Sequence, residues 1–191
     1  MRVFIAVLVL IFSLQSWTKA DDISDFQIEG MSVGDSLLDY FSESQIKNES
    51  WNWHKKDETW KQFQPIRSYN DYDYVMFTFL GKDKNYTIEE VAGRKVLAIE
   101  DCKKLQLEMI DDIEELMPDS KKTEITTNQY RGDASGKSTK TYINIFPVEG
   151  FIHIGCYDFS DKFGKENNYL DSLNVSVGSQ NFLRFQRSTA F

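Results

Sequence analysis

Glu100-Asp101-Cys102-Lys103-Lys104-Leu105-Gln106-Leu107-Glu108-Met109-Ile110-Asp111-Asp112-Ile113-Glu114-Glu115-Leu116-Met117, closed by Pro118, is the stretch around which the chain is organised. Leu105, Met109, Ile113 and Leu116 recur at three- and four-residue spacing, with Leu107 and Ile110 on the shoulder. That is the pattern of a helix burying one face. Pro118 lacks the N–H that would continue it. Cys102 stands in the first turn on the same apolar side, and the other cysteine, Cys156, lies far downstream in a strand-like run. A helix riveted to a sheet is the expected picture.

The compartment bears on the rivet. Met1 to Ala20 has the form of a signal peptide: Arg2 as the positive start, an apolar run from Val3 to Leu14, then Thr18-Lys19-Ala20 with small residues where a signal peptidase cuts. A run of about twelve apolar residues is short of the roughly twenty that cross a bilayer. Cleavage after Ala20 is expected, with no membrane insertion afterwards and a periplasmic or secreted product, residues 21–191, as a single α+β domain. Two cysteines in an exported chain most economically form one disulfide, Cys102–Cys156. It closes a loop of about 55 residues, worth roughly 4 kcal/mol in chain entropy.

Removing Arg2 and Lys19 takes Lys plus Arg from 22 to 20 against 30 acids, a net charge near −10. That sign repels phosphate backbones and anionic membranes, so nucleic-acid partners are excluded.

Outward from the central helix, Val33, Leu37, Leu38 and Phe41 make one short apolar face after Ser32, and Ser42 with Gln45 forms a second capping box, so two short helices in tandem are expected. Trp51 to Trp60 reads as loop. Phe63–Tyr69 and Tyr74–Leu80 read as strands, Tyr86–Ala92 as a further segment, and Gly93-Arg94-Lys95 as a turn. After Pro118, Thr123–Tyr130 is β-prone and Thr139–Val148 with Phe151–Phe159 forms a hairpin. Asp161–Asn168 is polar loop, Tyr169–Val177 a strand, and Ser179 caps a last short helix. An antiparallel sheet packed against a long helix and short N-terminal helices is the α+β arrangement.

Gly30-Met31-Ser32 and its short amphipathic helix, with the later run Ile154-Gly155-Cys156-Tyr157-Asp158, resembles a group of uncharacterised small exported proteins of marine alphaproteobacteria. The likeness covers most of the chain after residue 20 and implies export without a specific activity. A local likeness, limited to Gly30-Met31-Ser32 and its helix, is to the outer-membrane-assembly lipoproteins of the SmpA/OmlA type. It implies an accessory role in envelope assembly. This chain departs from that type in lacking the lipid-bearing cysteine and the glycine that closes the first helix.

Few motifs carry chemistry. Gly132-Asp133-Ala134-Ser135-Gly136-Lys137-Ser138 has three residues between its glycines where a phosphate loop needs four, and strand-forming residues follow where a helix is required. Arg131-Gly132-Asp133 matches an adhesion tripeptide, and ordinary turn chemistry explains it. Asn48, Asn85 and Asn174 begin glycosylation sequons, which composition alone yields. His54 and His153 are about a hundred positions apart, without the ligand spacing of a metal site, so neither metal nor cofactor is predicted. His153 with Asp158 or Asp161 can be assembled into a hydrolase site on paper, but no Gly-x-Ser-x-Gly is present. Glu108, Asp111, Asp112 and Glu115 form an acidic stripe on the long helix, either a solvated face or a dock for a basic partner.

The candidate ligand-binding residues are Trp51, Trp53, His54 and Trp60, where indoles can stack on flat organics or cations; the alternative is that the rings cap the edge of the core. The expected function is a soluble, non-catalytic binding or interaction protein of the bacterial envelope, its partner a small ligand or an envelope protein. The alternatives are a periplasmic hydrolase of unrecognised type and an accessory factor in envelope assembly.

Overall fold

The computed structural model describes residues 23–54 and 57–189; the side chains of His54, Asp57 and Thr189 lie outside that set, as does the expected signal segment. A small hairpin, β1 (Gln27–Ile28) and β2 (Met31–Ser32), opens the chain, followed by a 3-10 turn, Leu37–Asp39, and helix α1, Glu43–Glu49. Four strands form a meander: β3 (Ser50–His54), β4 (Asp57–Phe63), β5 (Tyr74–Leu80) and β6 (Glu90–Val96). Helix α2, Ile99–Leu116, crosses the sheet. It is followed by β7 (Lys121–Lys122), β8 (Thr126–Gln129), β9 (Thr139–Phe146), β10 (Gly150–Asp158), α3 (Asp161–Asn167), β11 (Ser172–Ser179) and α4 (Gln180–Thr189).

The sheet order is β3-β4-β5-β6-β11-β10-β9-β7, antiparallel throughout, with β8 also on β9. The last strand inserts between the two halves, so β11 joins the first meander to the second. The architecture is the α+β sheet-and-helix arrangement, held by Cys102–Cys156 with the Cα atoms 5.9 Å apart.

Residues opposite one another across an antiparallel pair point to the same face. One face carries Phe63, Phe77, Val75, Val91, Val175, Val177, Ile152, Ile154 and Ile143, and packs with α2 and the N-terminal segments into the main core. The buried stripe of α2 is Cys102, Gln106, Met109, Ile110 and Ile113. It is rotated from the expected leucine stripe: Leu107 is exposed, and Gln106 faces the sheet, donating from Nε2 to the carbonyls of Ile154 at 2.9 Å and Thr141 at 3.1 Å. Glu108, Asp111, Asp112 and Glu115 are exposed, and Lys122 pairs with Glu114.

Three local expectations are corrected. Within Trp51–Trp60, expected as loop, the described residues belong to the paired edge strands β3 and β4, because β4 is zipped to β5 from Trp60 to Phe63 and carries β3 with it. Gly93-Arg94-Lys95 is the interior of β6. A side chain at Gly93 would meet the Tyr72 ring at 2.5 Å, so the glycine marks a ring lying on a strand and not a turn. Asp161–Asn168 forms α3, ended by Asn168 at φ 56°. Ser42 caps α1 as expected, accepting from Gln45 N. The earlier turn is capped by Ser36, while Asp35 accepts from Ser32 N.

Candidate functional site

Among the described residues, the opposite face of the sheet is covered at its two ends. At one end α4 lays Phe182 and Phe185 across Trp53 and Trp60, with ring centroids 4.9 to 5.9 Å apart. Ser179 starts that helix by accepting from Phe182 N at 3.1 Å. At the other end Tyr130 meets Phe159 and Phe163 edge-on, Tyr169 packs tilted against the same two rings, and the segment after α3 folds back over the sheet.

The tryptophans thus fall into different environments. Trp60 is 3% exposed, and Trp53 packs beside it under α4. Trp51 is 42% exposed on the edge strand, its indole N–H donating to Gln62 Oε1 at 3.1 Å. His54 belongs to β3, its side chain outside the described residues. Trp53 and Trp60 serve a second apolar cluster with Phe151, Phe182 and Leu183.

Between the two covers lies a groove of about 370 Å³, within the range of small-molecule sites. Register builds its floor in rows. One row runs from Met76 and Ala92 on to Ser176, His153 and Asn144 beyond the groove; the next runs from Tyr74, Arg94 and Asn174 on to Gly155 and Tyr142 beyond it. Ala92 leaves the floor low, Tyr74 and Met76 form one wall, and Tyr169 with Leu170 overhangs the other side. Tyr74 and Leu170 are 49% and 58% exposed, an apolar surface that a ligand would cover.

The polar groups of the groove and of the sheet face next to it differ in how they are satisfied. Arg94 donates from Nε to Ser172 Oγ at 3.0 Å and from Nη2 to the Leu170 carbonyl at 2.9 Å. Lys140 sits between the rings of Tyr142 and Tyr157, 5.0 and 4.9 Å from their centroids, and burial lowers its ammonium pKa. His153 Nδ1 is 2.7 Å from Asn144 Oδ1, and its Nε2 is buried with no hydrogen-bond partner among the described residues. Burial first, and then Lys140, push the imidazole down to about 3, so it is neutral at pH 7. Burial pushes Glu90, beside the groove, up to about 7, against the hydrogen bonds from Thr78 and Ser176.

His153 and Asp158 are five positions apart on β10 and point to opposite faces, so they do not form an acid–base pair. Asp133 turns its carboxylate inward, accepting from Ser138 N and Oγ, Ser135 N and Ser160 Oγ at 2.7 to 3.1 Å. The Ser138 hydroxyl chiefly holds that acid well below the usual carboxylate range. The adhesion-like tripeptide is therefore the start of an Asp-tied loop, with its acid not presented outward. Among the described residues no group of three or more His, Cys, Asp or Glu is gathered to hold a metal, and no helix is long and apolar enough to cross a membrane.

The groove does not show in the sequence, where Gly93-Arg94-Lys95 reads as a turn and Asn174 as the start of a sequon. The alternation of Glu90, Ala92, Arg94 and Val96 was the available signal, masked by Gly93. No protein-family model, curated protein or solved structure matches the chain.

Proposed function

We propose that the chain is an exported binding protein of the bacterial envelope that holds a small apolar molecule in the groove across the open face of its sheet. The observation that carries this reading is the groove itself: a low floor at Ala92 between Tyr74 and Met76 on one side and the overhanging Tyr169-Leu170 on the other. A binding role is favoured over a hydrolytic one because His153 is buried and held by an amide, with no carboxylate behind it to make it a base. The disulfide fits an oxidising compartment.

N-phenylnaphthylamine, an uncharged dye that brightens in apolar surroundings, tests the reading. The folded protein is expected to enhance its fluorescence saturably. Ala92→Phe, which fills the floor, and Leu170→Asp, which changes only an exposed side chain, are both expected to abolish the enhancement. Enhancement unaffected by both substitutions, or none in the parent protein, counts against the groove.

A further inference from the structure

The groove has one polar end, and its charges are unbalanced. The chain carries 30 acidic side chains against 22 basic ones, yet neither Arg94 nor Lys140 forms an ion pair among the described residues. Arg94 gives two of its five N–H donors to neutral oxygens, which leaves three. Directly opposite Arg94 on β11 is Asn174, whose carboxamide makes no hydrogen bond among the described residues. Opposite Asn174 on β10 is Gly155, where any side chain would meet Lys140 Cε at 3.1 Å and His153 Nε2 at 3.0 Å. The lysine stem and the imidazole therefore lean over Gly155, next to Asn174. Glu90, an acid on the same face, is buried against Thr78 on the far side of Ala92.

We infer that the groove selects small apolar carboxylates, with the anion seated on Arg94 and Asn174 beside Lys140 and the apolar body lying along Tyr74 and Met76 beneath Leu170. This inference rests on the groove being a binding site. A guanidinium with free N–H groups in a partly desolvated cleft matches a carboxylate in shape and charge. The nearest carboxylates in the chain, Asp73 and Asp171, are each tied to a backbone amide, of Val96 and Phe159.

Calorimetric titration with naphthoate and naphthamide, matched in shape and different in charge, tests the selectivity in the unaltered protein. Naphthoate is expected to bind about tenfold or more tightly than naphthamide at low ionic strength. Arg94→Gln is expected to bring the two affinities together by weakening naphthoate more than naphthamide, and Arg94→Lys, which keeps the charge and loses the fork, to retain part of the difference. Equal affinities in the unaltered protein overturn the inference, and if N-phenylnaphthylamine still binds in a Leu170-dependent way the groove stands without it. Failure of the naphthyl ligands and the dye together overturns the groove and the inference at once.

Discussion

Arg94 and Leu170 are joined by a hydrogen bond of 2.9 Å, from the guanidinium Nη2 to the main-chain carbonyl. Arg94 belongs to the groove floor and Leu170 to its overhang, so one side chain sets the width between them. The same guanidinium reaches Ser172 through Nε, which fixes its plane. A group positioned by two neutral acceptors keeps its charge available. Floor, wall and charge thus depend on a residue in the interior of β6.

The tryptophans separate by burial, and their substitution should separate in the same way. Trp60→Ala removes a 3%-exposed ring from the cluster with Phe151 and Phe182, and is expected to cost about 3–5 kcal/mol. Trp51→Ala removes a half-exposed ring with one hydrogen bond to Gln62, and is expected to cost about 1 kcal/mol or less. Denaturant midpoints at constant slope measure both. Comparable losses would contradict the placement of Trp60.

Glu90 and His153 give opposite pH signatures. The carboxyl of Glu90 stays protonated in the folded chain up to about pH 7, while its unfolded counterpart ionises near 4.5. In that window the folded state holds more protons, so stability falls as pH rises, by about 3 kcal/mol if the whole shift is realised. Glu90→Gln is expected to gain on the parent protein between about pH 5 and 8. A stability difference independent of pH would contradict the burial of this acid.

His153 stays neutral in the folded chain down to about 3, while the unfolded imidazole takes a proton near 6.5. Here the unfolded state holds more protons, and stability falls as pH drops through that window. His153→Gln is expected to flatten the acid side of the profile and leave the Glu90 slope in place. Urea titrations at several pH values resolve the two. An unchanged acid limb would contradict the buried, neutral histidine.

Cys102 and Cys156 tie α2 to β10 at the site where Gln106 also bonds the Ile154 carbonyl. Replacing both cysteines with alanine is expected to cost about 2–5 kcal/mol. Intact-mass measurement with and without alkylation checks that the natively isolated protein carries the bond. Two free thiols would remove that contribution from the account.

What the sequence disclosed follows from how strongly each element is patterned. Helix α2 spans Ile99–Leu116 against an expected 100–117, because an 18-residue apolar period with Pro118 after it admits little else. The hairpin of β9 and β10 and the bond between helix and sheet were legible for similar reasons. The exact buried stripe was not, since a glutamine enters it: Gln106 is inside because two strand carbonyls receive it. No Asn-Gly or Asp-Gly pair stands between Trp51 and Trp60 in the sequence to signal that β3 and β4 pair. Gly93 read as punctuation because the ring that excludes a side chain there, Tyr72, comes from another part of the chain. The groove was invisible for the same cause. Its residues come from β5, β6, β11 and the segment after α3, and only register brings them together.

Amide chemical-shift mapping during a titration with N-phenylnaphthylamine tests the central claim most directly, because it locates the ligand without altering the protein. The account predicts perturbations concentrated at Tyr74–Met76, Ala92–Arg94 and Tyr169–Asn174, saturating together with a single dissociation constant. Shifts confined to the edge hairpin around Trp51, or spread without saturation over the surface, would contradict it.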